Sequence, residues 1–304
     1  MQGQSRREFI GGTAALAAGL ALPLTQRPGV TVSPIAGTTV NLGAYGVGTF
    51  LEAAQIYDGY VGLPLATTFE KVYMNHGQFG PGLPSKMAEL APSGCEFLIS
   101  VKPSNSRTTS QQKAMAAWLA LLKAKGIRFR MVLYSEPNDK AFLTAQEWLP
   151  YWRYYAPVIK DAGATLCYEP GCGGTTVVNR AIALFPSNPT PDELWFDYYC
   201  TAYRNGSRVD KLLALAAAAQ VPAGIGEWGW MAGSSHATGG HQPTMKIWDE
   251  YGAYLIGLIG AKKIQLGAAY FNARFGTLTE NVITGPKDPR IPMIRNLVKA
   301  VQGA

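Results

Sequence analysis

Short apolar runs alternate with amphipathic segments along most of the chain. Runs rich in β-branched and aromatic residues predict strands, whereas apolar residues recurring every three to four positions predict helices. Eight strands are predicted, near residues 39–44, 68–74, 96–101, 128–134, 165–168, 194–199, 223–227 and 263–271. The segments between them predict helices, and the sequences Thr144-x-x-Glu147 and Ser207-x-x-Asp210 are typical of helix starts.

Strict alternation of strand and helix favours a parallel sheet. Eight strand–helix units between residues 37 and 304 match a closed (β/α)8 TIM barrel, which takes about 250 residues. We therefore predict an α/β chain with one barrel domain over 37–304. A doubly wound open sheet is the alternative, but the spacing Gly43-x-x-Gly46-x-Gly48 differs from the dinucleotide-binding pattern.

Residues 1–36 predict an export signal and linker. The segment Ser5-Arg6-Arg7-Glu8-Phe9-Ile10 precedes a mildly apolar stretch and resembles a twin-arginine signal. A membrane-spanning anchor is the alternative, although Gly11, Gly12 and Pro23 make a poor spanning helix. We expect a periplasmic, cell-wall or extracellular protein that contacts the membrane only through this signal, if it is not cleaved.

The charge pattern excludes few partners, but it argues against nucleic acid. Charged residues make up 15% of the chain, which is low beside about 25% in a typical soluble protein. The net charge is +7, yet the lysines and arginines are scattered rather than clustered. We expect a monomer that binds no nucleic acid.

The four cysteines lack the CxxC spacing of zinc or thioredoxin-type sites. In an exported protein a disulfide can persist, and Cys172 with Cys200 is the pair that neighbouring strands would bring together. Four buried thiols are an equally weighted alternative. His236 and His241 match no ligand motif with Glu227, so we predict no metal and no cofactor.

Two glutamates fall at the ends of predicted strands, where such barrels carry their chemistry. Glu136 follows strand four in VLYSEPN, and Glu227 ends strand seven in GIGEWGW. Strands four and seven face each other across the barrel mouth, so both side chains can reach one ligand. Pro137 disfavours a helical conformation at Glu136, which predicts an extended backbone there.

These segments resemble those of the clan A retaining glycoside hydrolases. With Asp197 to Tyr203 after strand six and Tyr270-Phe271-Asn272 at strand eight, they are most similar to family twenty-six, the mannanase-like group, and also to family thirty-nine. The resemblance implies a (β/α)8 enzyme with Glu136 as acid/base and Glu227 as nucleophile. It implies a β-linked polysaccharide or oligosaccharide substrate, cleaved with retention of configuration.

Further residues are predicted to touch the sugar. Members of the family usually carry Asn or His before the acid/base glutamate, whereas this chain carries Ser135, whose shorter side chain reaches less far. Tyr203 could donate a hydrogen bond to Glu227, and Trp228 could contact a sugar or pack at the rim. The predicted substrate-binding set is Ser135, Asn75, Tyr203, Trp228 and Phe271.

The sequence also leaves alternatives open. Glu169 could bind a sugar hydroxyl or take the role of Glu136, and Asp197 is interpreted as structural. A carbohydrate-binding barrel that has lost turnover is a second hypothesis, which Ser135 favours. A transglycosylase using the same two glutamates is a third.

Overall fold

The computed structural model describes residues 35–39, 59, 68–75, 79–102, 106–138, 145–200, 206–229, 244–271 and 286–302. Its strands are β1 Ile35–Thr39, β2 Thr68–Asn75, β3 Glu96–Lys102, β4 Arg128–Leu133, β5 Thr165–Tyr168, β6 Glu193–Asp197, β7 Ala223–Trp228 and β8 Gly267–Phe271. All are parallel and lie in chain order, and β1 pairs with β8 to close the barrel. This confirms the predicted (β/α)8 fold.

Helices alternate with the strands, and local signals set their ends. At the start of the second helix the Thr108 side chain accepts a hydrogen bond from the Gln111 backbone N–H, and Gly126, at φ 69°, follows its end. The described helices are α1 Gly82–Leu90, α2 Thr109–Ala124, α3 Ala145–Asp161, α4 Thr175–Ala183, α5 Gly206–Ala219, α6 Met245–Gly260 and α7 Ile291–Gln302. None of these helices is long and apolar enough to cross a membrane.

The main core lies between the strands and the surrounding helices. Phe97, Ile99 and Val101 alternate along β3 with residues of the barrel interior, as strand geometry requires, and they pack in this outer layer. The predicted apolar face of α2 is confirmed, because its buried residues are Met115, Trp118, Leu119 and Leu122. The tryptophans of α3, Trp148 and Trp152, are fully buried as expected.

A second, smaller core fills the middle of the barrel. Its members come from neighbouring strands and are Leu98, Val132, Cys167, Trp195 and Leu266. The large Trp195 ring fits because β7 carries Gly224 opposite it. A Cβ on Gly224 would lie 2.7 Å from the ring. This apolar layer separates two ionic layers, one at each end of the barrel.

The ionic layer at the amino ends of the strands centres on Arg130. Its Nη1 lies 2.6 Å from Oε2 of Glu96, and its Nε lies 3.0 Å from Oε1 of Glu193. Trp195 Nε1 also donates to Glu193. The predicted strands include Glu96 and Arg130, whereas predicted strand six begins one residue after Glu193, and the local sequence does not indicate that the three charges meet inside the barrel.

The first strand differs from its prediction. Its described residues are Ile35–Thr39, so it begins before the predicted start at residue 39, because Ala36 pairs with both Thr68 and Ala268. Residues 40–44, the rest of the predicted strand, lie outside the described residues. The strand therefore begins just before the predicted boundary at residue 37. Residues 1–34, which carry the predicted export signal, lie outside the described residues.

The four cysteines are buried and free, so the suggested Cys172–Cys200 disulfide is absent and the alternative of buried thiols is confirmed. Burial raises the pKa of both Cys172 and Cys200 to about 12. Thiols with such pKa values hold little reactive thiolate at neutral pH. The core does not depend on oxidation for its stability.

The buried arginine layer gives a stability prediction. Arg130→Met leaves Glu96 and Glu193 without their shared cation and should lower the free energy of unfolding by about 3 kcal/mol. Arg128, on the same strand and 3.8 Å from Glu96, has a side chain 63% exposed, so Arg128→Met should cost less than about 1 kcal/mol. Urea denaturation measures both, and equal losses would contradict the layer's role.

Candidate functional site

Backbone hydrogen bonds join the carboxyl ends of β4 to β7 into one continuous rim. Glu136 N–H donates to Glu169 C=O at 2.8 Å, and Cys172 N–H donates to Asp197 C=O at 3.1 Å. Tyr198 N–H continues the series by donating to Glu227 C=O at 2.8 Å. The segments that follow these strands therefore occupy fixed positions relative to one another.

Asn138 fastens the segment after β4 to the one after β5. Its Oδ1 accepts from the Gly171 N–H at 2.8 Å, while its Nδ2 donates to the carbonyls of Gly171 and Val177 at 2.8 and 2.9 Å. The side chain is buried, and its amide uses both its acceptor and its donor groups. It holds the turn that carries Glu136.

Glu136 lies in this turn with its side chain half-buried. Its φ of 51° is in the left-handed region, so the predicted extended backbone is wrong. Pro137 disfavours the right-handed helical region at Glu136, but it does not hold this residue in the extended region. The carboxyl lies over Gly171, where a Cβ would come within 2.8 Å of Glu136 Oε1. A side chain at position 171 would therefore displace the Glu136 carboxyl.

A bulge in β7 aims Glu227 into the barrel. Phe196 pairs with Ile225, but the next residue of β6, Asp197, pairs with Glu227, so Gly226 is an extra residue. Without it, strand alternation would turn Glu227 outward with Ile225, which packs in the outer core. The extra residue shifts the alternation by one, which is how bulges re-aim side chains beside functional sites.

Among the described residues, two donors hold the Glu227 carboxylate. Lys71 Nζ, from β2, lies 2.9 Å from Oε1, and the Tyr199 hydroxyl donates to Oε2. Burial raises the pKa of Glu227, and the charge and hydrogen bond of Lys71 lower it. The lysine therefore favours an ionised carboxylate in a place where burial alone would favour the acid.

Two more acids surround Lys71. Its Nζ lies 2.5 Å from Glu169 Oε1 and 3.6 Å from Asp197 Oδ1, and all of these side chains are buried. Burial alone would lower the pKa of Lys71, but the carboxyls of Asp197, Glu169 and Glu227 outweigh it, so the pKa is raised. No group of acids, histidines and cysteines among the described residues is arranged to hold a metal.

Gly226 makes room for this cluster. A Cβ placed there would overlap Glu169 Oε1 and lie 3.0 Å from Asp197 Oδ1. The same residue thus supplies the bulge that turns Glu227 inward and the space that the acids occupy. Because Glu169 is fully buried beside Lys71, it does not stand at the barrel mouth in place of Glu136.

The other predicted site residues have different positions. Ser135 is buried beside Glu136. Trp228 is 1% exposed and stacks on Trp248 with ring centroids 5.7 Å apart, which favours the interpretation that it packs the barrel wall. Asn75 and Phe271 end β2 and β8, but their side chains lie outside the described part of the structure, as does the whole of Tyr203.

Sequence reasoning missed three contributors. Lys71 was read only as part of a strand, although a charge inside the run TFEKVYM is unusual for a buried strand. Tyr199 ends the predicted strand six, whereas the sequence suggests Tyr203 as the residue that could donate a hydrogen bond to Glu227. Asn138 was noted as part of Glu-Pro-Asn without a role, and only the folded loops show what its amide binds.

Comparisons with known proteins agree with the fold. No protein-family model and no curated protein matches the chain. A GH128 (subgroup I) endo-β-1,3-glucanase from Amycolatopsis mediterranei, solved with laminaritriose, is 16% identical, with a TM-score of 0.54, over 87% of this chain and 100% of its own. These values and those of other solved structures establish a shared TIM-barrel architecture.

Two β-mannanases are also similar in structure. A GH26 enzyme from Bacteroides ovatus is 13% identical with a TM-score of 0.58, covering 90% of both chains. A GH113 enzyme from Alicyclobacillus acidocaldarius is 16% identical with a TM-score of 0.56, covering 89% of this chain and 99% of its own. Family twenty-six, to which the sequence motifs are similar, is thus among the structural neighbours.

The packing at Gly226 gives a prediction. Gly226→Ala forces a methyl group into the acid cluster and should cost about 1–3 kcal/mol of unfolding free energy. A Cβ added at Gly173 would meet no atom within 4 Å, so Gly173→Ala should change stability by less than about 0.5 kcal/mol. Chemical denaturation tests the pair, and an unchanged Gly226→Ala protein would contradict the packing described.

Proposed function

We propose that this chain is a retaining glycoside hydrolase that cleaves a β-linked glycan. A series of contacts that links Glu136 to Glu227 at the carboxyl ends of the strands supports the proposal. Glu136 Oε1 lies over Gly171, Gly171 pairs with Asp197, and Asp197 pairs with Glu227, whose carboxylate accepts a hydrogen bond from Tyr199. The carboxylates that follow β4 and end β7 thus lie at the same, carboxyl end of the barrel, where such barrels carry their active sites.

Their surroundings suit different roles. Glu227 is buried, fixed by Lys71 and Tyr199, and its ionised form is favoured by the lysine. Glu136 is half-buried in the turn after β4, where it can meet both a leaving group and water. A fixed anion fits a nucleophile, and a carboxyl with access to water fits an acid that later acts as a base.

The reaction then has two displacements. Glu227 attacks the anomeric carbon as the glycosidic C–O bond breaks, and Glu136 transfers its proton to the departing oxygen. A glycosyl ester on Glu227 results. Water, losing a proton to Glu136, attacks the same carbon and releases Glu227, so two inversions retain the configuration.

The substrate class follows from the neighbours' activities and from the motifs. The structural neighbours are named as an endo-β-1,3-glucanase and β-mannanases, so β-1,3-glucan and β-mannan are the first substrates to test. Transport through the twin-arginine signal in residues 1–36 would place the enzyme where such polymers occur. The barrel would act as a monomer that needs no cofactor.

Glu136→Gln and Glu227→Ala should each lower hydrolysis by at least about 100-fold, since each removes a group that acts on the reacting atoms. Reducing-end release from laminarin and mannan, with thermal unfolding to check the fold, measures this. Glu89→Gln, an exposed residue of α1, is the matched control and should keep wild-type turnover. Full activity in either active-site variant would contradict the assignment.

Azide separates the two roles. With an activated aryl β-glycoside, Glu227→Ala should yield an α-glycosyl azide, because azide occupies the space of the missing nucleophile. Glu136→Ala should yield the β-glycosyl azide, since azide attacks the glycosyl-enzyme without base assistance. Nuclear magnetic resonance of the products identifies the anomer, and exchanged outcomes would reverse the roles of the two glutamates.

The pH profile follows from the burial of Glu227, which raises the pKa of that carboxyl. Only its ionised form attacks, so kcat/KM should fall as the pH drops through this pKa. The midpoint should lie above about 4.3, the value of a free glutamate. A profile that stays flat down to that pH would contradict Glu227 as a buried nucleophile.

A further inference from the structure

One cation and three acids are buried together beneath the proposed nucleophile. The side chains of Lys71, Glu169, Asp197 and Glu227 are 0%, 0%, 1% and 9% exposed. Lys71 Nζ is closest to Glu169, next to Glu227 and farthest from Asp197, at 2.5, 2.9 and 3.6 Å. The inference drawn from this cluster rests on the proposed function of Glu227.

The charges do not balance if every group is ionised. Three carboxylates and one ammonium leave two negative charges in a space closed to water, and like charges at such range disfavour joint ionisation. The described titratable groups around the cluster include Tyr73 on β2, whose ring lies 4.9 Å from Lys71 Nζ, Glu136 after β4 and Tyr199 after β6, none of which is a cation.

Unsatisfied oxygens indicate where a proton belongs. Neither Asp197 oxygen accepts a hydrogen bond from a described donor, and neither does Glu169 Oε2, although all three atoms are buried. A buried carboxylate without donors is costly. One proton on Asp197 turns it into a donor with an adjacent carboxylate as its acceptor, so a single proton relieves both residues.

Burial and charge agree with this position of the proton. Burial and the charge of Glu169 raise the pKa of Asp197 well above its usual range, and Lys71 opposes them only in part. Glu136 and a hydrogen bond with Glu169 raise it further. Of the two acids, Glu169 makes the closer contact with Lys71, at 2.5 Å against 3.6 Å for Asp197.

We propose that Asp197 and Glu169 share one proton and act as positioning residues that hold Lys71 beneath Glu227. Glu169 takes one side of the ammonium, and Glu227 takes another. Asp197, neutral, adds a hydrogen bond without adding charge. Lys71 therefore stays close enough to keep Glu227 ionised, while the charge of Glu169 limits how far the lysine lowers the pKa of the nucleophile.

The pH profile of kcat/KM tests this arrangement through its acidic limb, the fall in kcat/KM at low pH as Glu227 becomes protonated. The proposal predicts shifts of this limb in opposite directions for different variants. Lys71→Met should move the limb upward by about 1–3 pH units, since an opposite charge within 4–6 Å is lost. The double variant Glu169→Gln/Asp197→Asn should move it downward, because both members of the pair are then neutral and the whole charge of Lys71 acts on Glu227. Asp197→Asn alone should move it less than half as far as the double variant, because Asp197 is already neutral and Glu169 still carries its charge.

A purely structural role would not give shifts of opposite sign. Lys86→Met, at an exposed position of α1, is the control for loss of a lysine and should leave the limb in place. Shifts of Lys71→Met and of the double variant Glu169→Gln/Asp197→Asn in the same direction would overturn the proposal. A shift in Asp197→Asn alone as large as that in the double variant would also overturn it, since Asp197 would then have carried the negative charge of the pair.

A second measurement needs neither substrate nor stable variants of the lysine. The infrared spectra of unlabelled wild-type protein and of protein labelled with ¹³C-aspartate are compared at neutral pH. Their difference should contain the C=O stretch of a buried protonated carboxyl group, which shifts to lower frequency in the labelled protein. Aspartate labelling is necessary because Glu136 is also protonated under the proposed mechanism. The band should be missing from Asp197→Asn.

The two proposals can fail separately. If the C=O band of a protonated carboxyl group is missing, or does not shift on aspartate labelling, the proposal of a shared proton is overturned even if the protein cleaves glycans. A labelled band in a protein that cleaves no β-glycan supports the shared proton and contradicts the hydrolase. If Lys71→Met does not fold, the wild-type spectrum and the pH profile of Glu169→Gln/Asp197→Asn still decide the question.

Discussion

A lysine buried in the upper layer of the barrel is the interaction on which the site depends. An ammonium group inside a protein is costly unless carboxylates surround it. Glu169, Asp197 and Glu227 come from three neighbouring strands and all face Lys71 on the opposite wall. These ion pairs thus link β2 to β5, β6 and β7 through the interior of the barrel. The same contacts hold the strands together and favour the ionised form of Glu227.

Each end of the barrel contains a buried cation surrounded by carboxylates, but the two layers differ in the number of acids. At the amino end, Arg130 sits between Glu96 and Glu193, and this layer serves stability. At the carboxyl end three acids surround one cation, so two negative charges would remain if every acid were ionised, against one in the arginine layer, and this larger surplus makes the layer suited to chemistry. The apolar layer around Trp195 lies between them and keeps the two sets of charges apart.

The sequence predicted the strand order, most helix faces and the positions of Glu136 and Glu227, because periodicity and strand ends are local features. It could not predict the bulge at Gly226, since alternation alone would have turned Glu227 outward. Lys71 escaped notice because its partners lie about 100 to 156 residues away along the chain. The position of Tyr199 and the left-handed turn at Glu136 likewise depend on contacts made only in the closed barrel.

The central claim is that the anion held by Lys71 forms a covalent bond to the sugar. Incubation with 2-deoxy-2-fluoro glucosyl, laminaribiosyl and mannosyl fluorides, followed by peptide mapping by mass spectrometry, tests it most directly. The account predicts one added glycosyl group, on the peptide bearing Glu227, and its loss when an acceptor sugar restores turnover. A label on Glu136 or Glu169, or cleavage of a glycan with inversion and no label, would contradict it.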